Sequence, residues 1–158
     1  MLLSRNELIS ILFRETDRAQ RMKTPLSLIH YGICDWQRWQ SQLGQVSLDA
    51  AVSAIAVRII RLLRCYDSVG QVTSGEFLLI LPGCNSSNAA TMAERLNTEV
   101  FGSPVSSGQN QLCFTACFGI ATSGGRSPIV VLREAERALA RARDASVVEL
   151  YATDGNRS

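Results

Sequence analysis

The chain has 158 residues, 46% of them apolar and 19% charged, with a net charge of +2. That length and balance predict a single globular domain with its own core and exclude a disordered chain. The small net charge gives no footprint for nucleic acid or an anionic membrane surface, and no run approaches the roughly 20 apolar residues of a membrane-spanning helix.

The first predicted element is a helix opened by Ser4-x-x-Glu7, which has the form of a capping box. Its apolar positions include Leu8, Ile11, Leu12 and Ala19, and it ends near Arg21, before Thr24-Pro25. Leu26 to Cys34 reads as a mostly buried strand, with Asp35 as the cap of a short helix through Leu43. Ser47 caps the clearest helix, in which Leu48, Val52, Ile55, Ile59, Leu62 and Leu63 recur at helical spacing through Arg64. Asp67 to Val72 and Phe77 to Leu81 read as a hairpin turning at Ser74-Gly75. A helix over Asn85 to Val100, with Arg95 flanking its core residue Leu96, precedes a polar loop over Gly102 to Asn110. Leu112 to Thr122 is a strand, Ser127-Pro128 caps the last helix, Val147 to Tyr151 is a closing strand and Thr153 to Ser158 a loose tail. The division is therefore one domain over 1–152 and a flexible tail over 153–158. Helices between strands around one tight hairpin imply an α+β fold with a mixed central sheet flanked by helices.

Cys34, Cys65, Cys84, Cys113 and Cys117 are odd in number and lack Cys-x-x-Cys. This points away from a disulfide framework or zinc site and toward a reducing, cytoplasmic setting. Arg5, Glu7 and Arg14 interrupt the N-terminal apolar stretch, so no signal peptide is read there. Cys113 and Cys117 are expected as buried thiols on one strand face. His30, the only histidine, lies on an apolar strand and reads as a core or edge residue rather than a general base. Trp36 and Trp39 read as packing or partner-contact residues, and Arg133, Arg137 and Arg141 as a solvated face.

The most informative stretch is Arg64-Cys65-Tyr66-Asp67, followed after a five-residue gap by Thr73-Ser74-Gly75-Glu76-Phe77. It resembles the centre of a GGDEF domain, the fold of diguanylate cyclases. The Gly-Gly-Asp/Glu-Glu-Phe hairpin motif stands here as Thr-Ser-Gly-Glu-Phe, while the upstream Arg-x-x-Asp of the inhibitory site keeps its residue types and spacing. Ala93-Glu94-Arg95-Leu96, Phe118-Gly119-Ile120-Ala121, Leu43-Gly44 with Asp49, and Ala135-Glu136-x-Ala138-Leu139 are similar to further family motifs in the same order. The resemblance covers nearly the whole chain and implies the nucleotidyl-cyclase palm, with a mostly antiparallel central sheet. It also implies a sensor or output module attached to, or associated with, the domain.

A diguanylate cyclase joins two GTP molecules, and the resemblance implies Mg²⁺ held by one carboxylate of the first strand and one at the third hairpin position. Those positions fall on Gly32 and Gly75, which carry no ligating side chain, and Cys34 stands at the acidic position two beyond Gly32. Asp35 is one residue off in register and faces away. Thr73 and Ser74 replace the two glycines that let phosphate approach the backbone. The expectation is a domain that is not an enzyme and holds no metal. Asp49, Gln40 and Arg143 align with the family's base- and phosphate-contacting residues, and with Glu76 they form a vestigial substrate site in which metal-free GTP binding is a lesser alternative.

Arg64, Asp67 and Arg95, the last 28 positions after Asp67, align with the inhibitory site that binds the product, cyclic di-GMP. An arginine fork matches guanine N7 and O6, and a carboxylate accepts from guanine N1–H and N2–H. The same two residues can instead pair with each other as a surface ion pair of little energetic value, favoured by the helix C-terminus. The reading is a cyclic di-GMP receptor that relays binding to a partner or attached domain. A nucleotide-independent dimerisation or docking module, compatible with a homodimer, is the alternative.

Overall fold

The structure, a computed structural model, describes residues 2–107, 109–145 and 150–153. Helix α1 (Arg5–Met22) begins with the expected capping box: Ser4 Oγ accepts from the Glu7 backbone N–H, and Glu7 Oε1 accepts from the Ser4 N–H at 3.0 Å. Lys23 adopts a left-handed conformation and stops the helix before Pro25.

The chain then lays β1 (Leu26–Ile33) into the middle of a five-stranded sheet. Helix α2 (Trp36–Leu62) leads to the hairpin β2 (Ser68–Thr73) and β3 (Glu76–Pro82), followed by α3 (Ser86–Arg95) and a π-helical turn at Leu96–Val100. A small hairpin, β4 (Val105–Ser107) and β5 (Asn110–Leu112), precedes β6 (Ala116–Thr122), α4 (Pro128–Asp144) and β7 (Leu150–Thr153). The sheet order is β2-β3-β1-β6-β7, antiparallel except for the parallel pair β6/β7. The α+β palm with a mostly antiparallel sheet is as expected.

Every residue of β1 and β6 is buried, because helices cover both faces. Alternate residues divide between two cores. Ile29, Tyr31, Phe77, Leu79, Phe118 and Ile120 face α2 and α3, with Tyr31 stacked on Phe77 at 4.9 Å between ring centroids. Burial pushes the Tyr31 phenol well above its ordinary pKa. Leu26, Leu28, Leu78, Ile80 and Ala121 face α1 and α4. Gly119 lets α4 lie close on the sheet: a Cβ there would stand 2.3 Å from the Leu139 backbone N and 2.4 Å from the Ala135 carbonyl.

Several boundaries differ from expectation. The two helices expected either side of Gly44 are present, run together as α2 but broken at Gly44, whose φ 77°, ψ 168° is not helical. Asp35 sits at the cap position of α2 but in a left-handed conformation without a capping hydrogen bond; it meets Arg38 at 3.5 Å instead. The stretch read as a polar loop contains the β4/β5 hairpin, tethered by Arg58, which donates to the carbonyls of Val100, Ser103 and Pro104. The strand expected from Leu112 starts at Ala116, leaving Cys113 exposed rather than buried. Of the closing strand, 147–149 lie outside the described residues and β7 begins at Leu150. Thr153 pairs with Ala121, and the rest of the expected tail lies outside the described residues. One stretch of α2 is long and apolar enough to cross a membrane by length and composition alone, yet Leu48, Ala51, Ile55 and Ile59 of this helix are core residues.

Candidate functional site

Two places on the domain gather polar side chains. The first is a cleft of about 840 Å³ at the end of β1, whose walls include Cys34, Trp36, Ser74, Glu76, Cys117 and Arg143. The register puts Gly32 directly opposite Glu76 on β3 and Cys117 on β6, so these positions share the face toward α4. Arg143, in the last turn of α4, reaches over that face. Its Nη1 lies 2.6 Å from Glu76 Oε2. A Cβ on Gly32 would stand 2.1 Å from Arg143 Nη2, so the guanidinium occupies the room that a side chain at position 32 would fill.

Glu76 also lies 3.2 Å from Nε2 of the buried His30, an ion-pair distance, although neither ring nitrogen is aligned for a hydrogen bond. His30 chiefly, and Arg143 after it, hold the Glu76 carboxyl down at about 2 against the opposing effect of burial. Trp36 closes the hairpin side. Its Nε1 donates to Ser74 Oγ at 2.8 Å, and its ring lies over Gly75, where a Cβ would be 2.7 Å from the indole. Gly75 has φ 79°, the left-handed turn position that glycine fills without strain. Thr73 pairs with Glu76 across this turn. Gln40 and Asp49 do not join the group: both are exposed on α2, and Asp49 accepts from Gln45 at 2.7 Å.

The second place is the corner between α2 and β2. Asp67 accepts from the Arg64 backbone N–H (2.9 Å), from Nε (3.1 Å) and from Nη2 (3.0 Å), and its side chain is fully enclosed. Arg64 Nη2 also donates to the Pro82 carbonyl, and the guanidinium lies over the Tyr66 ring, 4.5 Å from its centroid. The hydrogen bond to Asp67 raises the already high Arg64 pKa. Arg64 remains 43% exposed at a cavity of about 300 Å³ that Arg18, Tyr66 and Pro82 also line. Arg95 is elsewhere. It pairs with Glu99 at 2.8 Å, and among the described residues no hydrogen bond joins it to Arg64 or Asp67. The sequence reading missed Arg18, an exposed helix residue with no motif around it, and the contact of Tyr66 with Arg64, a pair two residues apart.

This palm, with a hairpin beside the central strand, has the cyclase-like α+β fold, which by itself assigns no activity. Residues 1–147 match the family model described as diguanylate cyclase, GGDEF domain, and the chain belongs to that family. It is similar to diguanylate cyclase SiaD of Pseudomonas aeruginosa, solved in complex with its activator SiaC (26% identity, TM-score 0.88, covering 98% of this chain and 59% of that one). It shares its fold with the GGDEF domain of DgcB from Caulobacter crescentus, solved with cyclic di-GMP (22% identity, TM-score 0.88, 96% and 88% covered). A further match in fold is the GGDEF domain of PA1120 (YfiN or TpbB) of P. aeruginosa (20% identity, TM-score 0.90, 98% of each chain). Among curated proteins it resembles the uncharacterized protein YhcK of Bacillus subtilis (strain 168), 28% identical over 99 residues, which are 59% of this chain and 28% of that protein. The chain thus spans well under half of that relative.

Proposed function

We propose that this domain does not cyclise GTP, and that it binds cyclic di-GMP through Arg64 and passes occupancy to an attached or associated protein. The loss of catalysis is argued from the cleft. Mg²⁺ needs hard oxygen donors. The positions aligned with the family's metal carboxylates are Gly32 and Gly75, and the carboxylate that remains, Glu76, is committed to Arg143 at 2.6 Å. This donor set does not fit Mg²⁺. A guanidinium stands in its place, so the Glu76 charge is balanced without a metal.

The observation that carries the receptor reading is the exposed guanidinium of Arg64, fixed by Asp67 and Tyr66 at the mouth of a cavity. Arginine has five N–H donors. Nε and Nη2 are engaged with Asp67 and Pro82, which leaves the two N–H groups of Nη1 for a ligand. A bidentate contact with guanine N7 and O6 needs only the Pro82 contact to yield. Asp67 cannot take a guanine edge while it holds Arg64, so its part is to position the arginine. Arg18 lines the same cavity and is the second arginine available there; Arg95 would act only on a ligand that extends beyond this corner.

Isothermal titration of cyclic di-GMP into the folded domain, beside Arg64→Ala, tests this. Saturable binding lost in the variant is the expected result. No heat at tens of micromolar ligand overturns it. The closed Arg64–Asp67 pair favours a second reading, a nucleotide-independent dimerisation or docking module. That reading predicts self-association by light scattering that cyclic di-GMP does not alter. Pyrophosphate release from GTP and Mg²⁺ would overturn both.

A further inference from the structure

On the floor of the cleft, Cys34 Sγ and Cys117 Sγ lie 3.4 Å apart. The two cysteines stand on neighbouring strands: Cys117 is opposite Gly32 on β1, and the Cys34 N–H donates to the Thr115 carbonyl at 2.8 Å, two residues before Cys117. Both sulfurs border the cleft, Cys34 half-buried and Cys117 buried against Leu139 and Ala142 of α4. The other three cysteines, two exposed and one buried, make no such pair. Two thiols in contact, one of them reachable from solvent, are the arrangement in which a first oxidation is resolved inside the protein instead of by a second molecule.

We infer that Cys34 and Cys117 form a reversible dithiol–disulfide site whose co-substrate is a small two-electron oxidant of the peroxide class. The Cys34 thiolate attacks a peroxide oxygen, the O–O bond breaks, and Cys34 becomes a sulfenic acid while hydroxide leaves and takes up a proton. Cys117 sulfur then attacks the Cys34 sulfur, the S–O bond breaks, and water departs with the Cys117 proton. In sum the dithiol gives up two hydrogens and two electrons, and hydrogen peroxide becomes two waters. Thiol–disulfide exchange with a dithiol reductant reverses the step. Closure brings the two sulfurs from 3.4 Å to the ~2.05 Å of a disulfide bond. It ties the end of β1 to β6 immediately before Asp35 and Trp36, the residues that lead into the lid over Ser74 and Gly75. The oxidised form therefore holds the cleft wall more rigidly.

Hydrogen peroxide, added in small excess to the reduced wild-type domain, is followed by intact mass and by non-reducing digestion with trypsin and chymotrypsin; cleavage after Phe114 separates Cys113 from Cys117. The expected result is loss of two hydrogens, one peptide pair linking Cys34 to Cys117, and full return with dithiothreitol. A Cys65→Ser, Cys113→Ser variant keeps the link, whereas Cys34→Ser in that background loses it. The proposal is overturned if Cys34 and Cys117 remain separately alkylable after Cys65 and Cys113 have reacted. It is equally overturned if the link joins other cysteines or if Cys34 passes to sulfinic acid without ever linking. Mapping on the wild-type domain keeps the test decisive even where a variant folds poorly.

Discussion

Replacing Glu76 by glutamine removes the charge at the centre of the His30–Glu76–Arg143 group and keeps its shape. The Glu76 carboxyl falls from 4.5 to about 2 in the folded domain. At ~1.4 kcal/mol per pH unit this corresponds to at most about 3.5 kcal/mol of stabilisation. Glu76 is 26% exposed and its partner Arg143 39% exposed, so screening by solvent reduces the expected effect to roughly 1 to 2 kcal/mol. The sign follows from the direction of the shift. A depressed carboxyl stabilises the fold above its unfolded value of 4.5, and that contribution disappears as the pH falls toward about 2. Glu76→Gln should therefore be less stable than wild type near neutral pH, and the gap should close on acidification because the protonated wild-type group comes to resemble the amide. Urea unfolding followed by circular dichroism on both proteins, at neutral pH and at intervals below pH ~5, measures the gap. A gap that stays constant with pH, or a variant as stable as wild type at neutral pH, would show that the ion pair contributes nothing to folding and refute the argument.

Arg64→Ala should destabilise the domain by about 1–2 kcal/mol, since Asp67 loses two charge-assisted bonds but gains access to water; Arg64→Lys should recover only part, lacking the fork. Denaturant midpoints measure both. Gly119→Ala should cost about 1–3 kcal/mol or more, because the new methyl meets helix backbone at 2.3 Å and cannot be accommodated by a rotamer change; the melting temperature reads it. Restoring a carboxylate at the hairpin with Gly75→Asp should also destabilise, by about 1–2 kcal/mol, because φ 79° strains a side chain and the Trp36 ring blocks it. No GTP turnover should accompany that substitution, as a pyrophosphate-release assay would record.

The parts of the fold legible in the sequence were those governed by local rules. Ser4 and Glu7 lie three apart and form their capping box without help from the rest of the chain. Ser74-Gly75 turns because glycine supplies the left-handed residue. The elements that differed depend on contacts that the local pattern did not weigh. The Asp35 carboxylate is drawn to Arg38, so the side chain does not cap α2. The Gly102 to Asn110 stretch looks too polar to order, yet Arg58 of α2 donates to the Val100 carbonyl just before it and to the Ser103 and Pro104 carbonyls within it. Cys113 and Cys117 share a parity that would put them on one face, but the strand begins only at Ala116. For the site, alignment to a family identified Gly32, Glu76 and Arg143 as separate oddities. That Arg143 fills the room left by Gly32 is a contact across the fold, which no local pattern encodes.

That contact makes the substitutions interdependent. A carboxylate at position 32 beside Glu76 would put two negative charges on one sheet face, a pairing that needs a bound cation to be tolerated. With glycine there, only Glu76 remains, and a single guanidinium balances it at 2.6 Å. The arginine is held by its own helix, so its positive charge is permanent and independent of metal concentration. A side chain at position 32 would require the Arg143 guanidinium, the far end of a flexible side chain, to swing aside. In the cleft, Glu76 is thus balanced by Arg143 and the hairpin turn is covered by Trp36. The Glu76 charge is met within the cleft itself, whereas at the other corner the Arg64 guanidinium, held by Asp67 and the Pro82 carbonyl, stays 43% exposed.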